Sequence, residues 1–271
     1  MEITEVLGFA GAAVIGLSLG LIGGGGSILT VPVLVYLMAV EPVLATAYSL
    51  FIVGLSALIG GINYARQGLV SFKTGIVFTI PAFIAVYLTR RLIVPALPQE
   101  LFTLGSYTLT KDTGILLLFA LLMVFASISM IRSKRKKTET EEVETEPKFN
   151  FPMILAEGLV VGVLTGLVGA GGGFLIIPAL VLFAKLPMKQ AVGTSLLIIA
   201  AKSLIGFIGD VQTNSNINWE FLLLFSGIAA LGIVGGSYLS KSIDGAKLKK
   251  GFGWFVLVMG SFMIVKEMMA F

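Results

Sequence analysis

The chain has no cysteine and no histidine among its 271 residues. The first absence excludes disulfides, thiolate metal sites and a cysteine nucleophile. The second removes the commonest proton shuttle and metal ligand. Together they weigh against most enzyme classes, and neither a metal nor a cofactor is expected. Charge is scarce as well, at 13% Asp, Glu, Lys and Arg, against about 25% in an average soluble domain. What fills the space is apolar: 56% of residues are hydrophobic and the mean hydropathy is +1.00. The apolar runs are too long to hide in one globular core, so the chain reads as an integral membrane protein with the lipid bilayer as its main solvent. The net charge of +4 does not point to nucleic acid, because the basic residues sit between apolar runs, where membrane orientation accounts for them. After Met1-Glu2-Ile3-Thr4-Glu5 there is no basic n-region or small-residue cleavage site, so the first apolar run reads as a retained span.

Apolar segments lie at about 6–22, 27–40, 43–62, 74–94 and 113–131, then at 153–168, 173–184, 190–208, 219–239 and 251–269. The break between the two sets, RSKRKKTETEEVETEPKFN, runs from a basic block to an acidic one and holds little apolar area to bury. It reads as a solvated linker. Three units follow: a first transmembrane repeat at 1–131, a charged linker at 132–150, and a second transmembrane repeat at 151–271.

The two halves are copies of one another. Shifted by 146 residues, Gly16 to Gly60 overlies Gly162 to Gly206 without a gap, and 17 of the 45 pairs are identical. The matches include Gly16/Gly162, Gly20/Gly166, Gly23/Gly169, Gly25/Gly171, Gly26/Gly172, Pro32/Pro178, Ala45/Ala191, Ser49/Ser195 and Gly60/Gly206. Apolar composition produces chance Leu and Ile matches, but not a glycine ladder with a proline in register.

Charge then decides orientation. If the glycine clusters merely kink long spans, each half has four crossings and the loop Lys and Arg residues divide 8 inside to 9 outside. If the chain turns at each cluster, each half has five segments and the second is upside down. Fourteen basic residues then lie inside with the linker, and only Arg90, Arg91 and Lys111 lie outside. The positive-inside bias favours the turn. So does length: 12 residues at about 1.5 Å each reach roughly 18 Å, short of a ~30 Å hydrocarbon core. The expected architecture is an all-α polytopic membrane protein. It is an inverted-topology duplicated repeat of about 8 full spans, plus two short re-entrant half-helices at 27–38 and 173–184. The expected location is the cell membrane, with the linker cytoplasmic and both termini outside.

The glycine clusters, Gly20-Leu-Ile-Gly23-Gly24-Gly25-Gly26-Ser27 and Gly166-Leu-Val-Gly169-Ala-Gly171-Gly172-Gly173, are the strongest local feature. Irregular backbone at membrane depth must be satisfied by protein, water or ligand. A helix beginning there aims free N–H groups and a positive dipole end at the spot, which suits an anion. Inverted copies would bring two such ends together near the midplane, as transporters do. The plainer account is close helix packing. A phosphate-binding P-loop is a poor fit, because no Gly-Lys-Ser/Thr follows.

Lys202 is the basic residue deepest inside a segment, where the first repeat has Ser56. A buried ammonium is costly and faces a cavity or a counter-charge. It reads as an anion counter-ion, or else as half of an ion pair, with Asp210 two turns away as one partner. Ser49, Thr194 and Ser195 could line a polar path, or bond back to their own helix. Glu157 is a candidate for proton coupling, and Asn63 with Asp210 for gates at opposite faces. Trp219, Trp254 and Tyr238 read as interfacial anchors and Lys247-Leu-Lys249-Lys250 as a topology determinant.

At GLIGGGGSILTVPVLVYL and its echo GLVGAGGGFLIIPALVLF, each followed by an Ala-x-x-x-Ser segment (Ala45 to Ser49, Ala191 to Ser195), the sequence resembles the sulfite exporter TauE/SafE family. The resemblance covers nearly the whole chain. It implies a secondary transporter of sulfite, organosulfonates or related sulfur oxyanions. The first repeat has Gly24 and Ser27 where the second has Ala170 and Gly173, so the halves of any site are not equivalent. The expected function is alternating-access transport of a small anion, with substrate contacts at Gly23, Gly24, Gly25, Gly26, Ser27, Ser49, Gly169, Gly171, Gly172, Gly173, Thr194, Ser195 and Lys202. No ATP-binding motif is present, so a gradient, the membrane potential or a coupled proton would drive it. An anion channel is the alternative from a second class. An intramembrane enzyme is disfavoured because no nucleophile–base set or metal cluster can be assembled.

Overall fold

The computed structural model describes residues 3–104, 107–132, 151–182, 184, 186–213, 216–239 and 245–269. Apart from Arg132, the expected linker at 132–150 lies outside the described residues, as do both chain ends. The first half comprises α1 (Ile3–Ile22), a 3-10 stretch (Gly23–Leu29), α2 (Thr30–Tyr36), α3 (Pro42–Arg66), α4 (Phe72–Leu88), a π-helical turn (Thr89–Ile93), α5 (Val94–Ala96), strands β1 (Glu100–Leu104) and β2 (Tyr107–Thr110), and α6 (Lys111–Arg132). The second comprises α7 (Phe151–Val168), α8 (Gly173–Leu182), α9 (Met188–Thr213), α10 (Trp219–Leu239) and α11 (Gly245–Met269).

Six of the described helices are long and apolar enough to cross a bilayer, starting with Glu5–Ile22 and Pro42–Arg66 and ending with Trp219–Leu239. This is a multi-pass membrane protein. Their outer faces carry large apolar side chains, such as Ile76, Phe125 and Leu231, which lipid can cover.

The all-α expectation holds, with one small addition: β1 and β2 pair antiparallel in a hairpin between α5 and α6. Several finer expectations need correction. The first arm is not a half-helix over 27–38. Its glycines run as a 3-10 helix to Leu29, and only the seven residues of α2 are α-helical. The second arm matches more closely, starting at Gly173 and ending at Leu182. The third segment of each half is longer than its apolar run, so Asn63 and Asp210 lie inside helices rather than at their ends. Arg90 is not a loop residue; it is fully buried in the π-helical turn that prolongs α4.

The centre is an antiparallel crossing of α3 and α9, where Gly54 faces Leu204, Gly61 faces Leu197 and Gly206 faces Leu50. Around it α1 packs on α10, α4 on α7 and α6 on α11. These contacts come in reciprocal pairs. Gly16 abuts the main chain of Ala229, as its counterpart Gly162 abuts that of Ala82. Gly60 touches Leu196 and Ile233, while Gly206 touches Leu50 and Val86. The Tyr48 hydroxyl accepts the Asn218 N–H at 2.7 Å, and the hydroxyl of Thr194, its counterpart, accepts the Ser71 N–H at 2.9 Å.

The first arm folds back on α1. Gly26 sits against Ser18 and Leu19, Gly11 against Val33, and Gly8 against Met38. The chain therefore returns to the face from which α1 started. That face, called here the terminal face, also receives the ends of α9 and α11, since Tyr36 meets Glu267 and Tyr48 meets Asn218. The opposite, linker face holds the end of α3, the end of α6 and the start of α7.

Candidate functional site

The two glycine clusters meet. Gly24 and Gly173 approach main chain to main chain, so a Cβ on either would run into the other's backbone. The junction sits on the central crossing, between Val53 of α3 and Ile199 of α9. Gly23 faces Val192 and Ile177, and Gly171 faces Val53 and Ser27. Close packing is therefore a direct physical reason for the small residues at the heart of the junction. Gly25 belongs to the same 3-10 stretch.

Polarity lies to one side, around the second cluster. Gly169, Gly171 and Gly172 have φ of +70°, +63° and +71°, a backbone shape that glycine adopts without penalty. A Cβ on Gly172 would overlap Thr165 and lie 3.3 Å from the Lys202 ammonium. Lys202 is fully buried, and its Nζ donates to the Thr165 hydroxyl at 2.8 Å. No carboxylate among the described residues comes within ion-pair distance of it. The expected alternative, a pair with Asp210, is not formed, because Asp210 binds Arg90 instead, Nη1 to Oδ1, at 3.4 Å. An ammonium has three donors, and one neutral acceptor leaves it short of both hydrogen bonds and counter-charge. The hydroxyls of Ser56, the counterpart of Lys202, and of Ser203, its neighbour, are buried with no hydrogen-bond partner among the described residues.

The remaining expected site residues separate from this centre. Ser27 donates to the Gly24 carbonyl and Ser195 to the Val192 carbonyl, so both hydroxyls are turned into their own helices. Thr194 holds the start of α4 through the Ser71 N–H. Ser49 is buried and unpartnered among the described residues. Glu157 is half-buried on α7, two turns before Thr165. Asn63 donates to Ser237 at 3.4 Å on the rim of a cavity of about 300 Å³ at the linker face. Sequence reasoning alone misses two participants. Thr165 stands where the first repeat has Leu19, and that break in the repeat is its only signal. Arg90 is masked by sitting beside Arg91 at the end of an apolar run, where topology alone explains it.

The sulfite exporter TauE/SafE family profile matches residues 8–263. Among curated proteins, a probable membrane transporter protein of Xylella fastidiosa is 29% identical over 92% of this chain and 91% of its own length. The probable membrane transporter protein YunE of Bacillus subtilis is 27% identical over 85% of this chain and 83% of its own. The probable membrane transporter protein MJ0441 of Methanocaldococcus jannaschii is 33% identical, over 45% of this chain and 48% of its own. No solved structure matches the chain.

Proposed function

Because the chain belongs to the sulfite exporter TauE/SafE family, and is thus a membrane transporter, we propose that it is a secondary carrier of a small oxyanion, sulfite or an organosulfonate, bound at Lys202. The observation that carries this reading is a fully buried ammonium whose one described partner is the neutral Thr165 hydroxyl. Burying an ion costs several kcal/mol unless a counter-charge comes with it. A bound anion supplies that charge, and the glycine break at Gly171 to Gly173 lets it approach the main chain. The start of α8 adds its dipole from the same side.

Alternating access of two inverted halves is the mechanism these contacts favour. Reciprocal pairing of α1 with α10 and α4 with α7 is what a two-fold relation between repeats produces. The first arm, returning to the terminal face, adds a fifth traverse to the four long helices of its half, and an odd number inverts the second half. With α7 and α11 counted, the full spans number eight. Among the described residues the linker-side helix ends carry Arg66, Lys73, Arg132, Lys189, Lys247, Lys249 and Lys250, against Arg90, Arg91, Lys111 and Lys266 at the terminal-side ends. That excess supports a cytoplasmic linker in the cell membrane and both termini outside. For proton coupling our candidate is Glu157, half-buried on α7 two turns before Thr165.

Counterflow in liposomes tests the site. Lys202→Met is expected to weaken sulfite and methanesulfonate exchange at least tenfold, and Lys202→Arg to retain part of it. Equal exchange by the Met variant and the parent would remove Lys202 from the site. Large non-saturating currents in place of exchange would replace the carrier with a channel.

A further inference from the structure

Lys202 is not the only buried cation. Arg90 is likewise wholly inaccessible, and its pairing with Asp210 is poor. One 3.4 Å contact joins Nη1 to Oδ1, while Arg90 Nε, Arg90 Nη2 and Asp210 Oδ2 are all buried without a hydrogen-bond partner among the described residues. The strong Arg–carboxylate pairs are frequently bidentate, with two parallel N–H···O bonds. Here the fork of the guanidinium is left unused. Nε and Nη2 present the two-donor edge that a carboxylate, sulfite or sulfonate accepts with two oxygens.

The position of the pair matters as much as its geometry. A shift of 146 in the third segment and 147 in the fourth maps Asp210 onto Tyr64 and Arg90 onto Ser237. Ser237, the counterpart of Arg90, lines the cavity of about 300 Å³ on the linker face together with Gly60, Asn63 and Arg66, while Tyr64 packs on Gly193. The place that the Arg90 guanidinium takes at the terminal face thus has a counterpart at the linker face that borders open space. On α9, Ser203 follows Lys202 and precedes Asp210 by seven residues, two turns along the same face, and its buried hydroxyl is unpartnered among the described residues.

We propose that the Nε/Nη2 edge of Arg90 is a second oxyanion subsite, that Asp210 holds the guanidinium through Nη1 alone while the carrier is sealed on the terminal face, and that the travelling oxyanion opens this seal by drawing the guanidinium away from Asp210. The proposal rests on the carrier reading above, but its test does not depend on transport. The natural chain has no cysteine, so Ser203→Cys gives one reporter on α9. A membrane-impermeant methanethiosulfonate reagent applied from the terminal face should label it slowly. Adding Asp210→Asn should speed labelling at least tenfold. Methanesulfonate should then slow it at least threefold by sitting on the Nε/Nη2 edge of Arg90, and should give no protection in Arg90→Met/Asp210→Asn. Should Asp210→Asn fail to fold, Arg90→Lys, which keeps the charge and loses the fork, is expected to speed labelling at least threefold. The proposal is overturned if neither variant labels faster than the parent, or if protection is absent or independent of Arg90. Loss of exchange in Lys202→Met with these labelling results intact would concern Lys202 alone, and unchanged exchange would count against the carrier site and not against the Arg90 seal.

Discussion

A single hydrogen bond separates Lys202 from being a bare buried charge. Thr165→Val keeps the shape and deletes the acceptor, which for a buried group typically costs about 1–3 kcal/mol. That loss is expected in the unfolding free energy of the purified protein, measured by thermal or denaturant titration in detergent. Lys202→Met/Thr165→Val should recover most of it, because removing both partners leaves nothing unsatisfied. A double-mutant cycle with no coupling between the two positions would show that the 2.8 Å contact contributes nothing in solution. Lys202 itself is legible in the sequence, since a lone ammonium inside LLIIAAKSLIGFIG has few innocent explanations. Thr165 is not, because a threonine on an apolar helix is commonplace and only the third dimension places it opposite the lysine.

Among the elements, the first arm departs furthest from expectation. Four consecutive glycines contribute no side-chain packing to an α-helical turn and carry a high conformational entropy, so the tighter 3-10 form takes over until Thr30 begins α2. Apolar periodicity cannot distinguish the two forms over seven residues, which is why the sequence pattern points to a helix from Ser27. What holds so short an arm in place is its far end. Tyr36 donates to Glu267 at 2.8 Å, and the Lys266 ammonium stacks over the Tyr36 ring at 4.0 Å, tying α2 to the end of α11. Tyr36→Phe keeps the ring and strands the buried Glu267 carboxylate, for a loss of about 1–3 kcal/mol. Faster amide hydrogen exchange confined to residues 23–38 is the expected signature. Exchange unchanged there, or raised evenly through the bundle, would mean that the contact does not anchor the arm.

For the molecule as a whole, the duplication is the most informative feature of the sequence, because identical glycines in register report on pairs of contacts. Gly16 and Gly162, related by the 146-residue shift, are both places where another helix comes within main-chain distance. The hairpin of β1 and β2 leaves no such trace, because it lies between α5 and α6 of the first repeat, beyond the stretch from Gly16 to Gly60 that the second repeat copies in register. The proposed inversion rests on one point of connectivity: the arm after α1 returns to the face where α1 began. Exposed Gln67, just beyond α3, and exposed Glu220, at the start of α10, therefore belong to opposite faces, although parallel halves would place both on the same side. In the cysteine-free background, Gln67→Cys should react with an impermeant maleimide only from the cytoplasm and Glu220→Cys only from outside, each at least tenfold faster than from the other side. Labelling of both from one side would mean that the chain crosses once more or once fewer than the folded-back arm allows, and the two repeats would then run in the same direction.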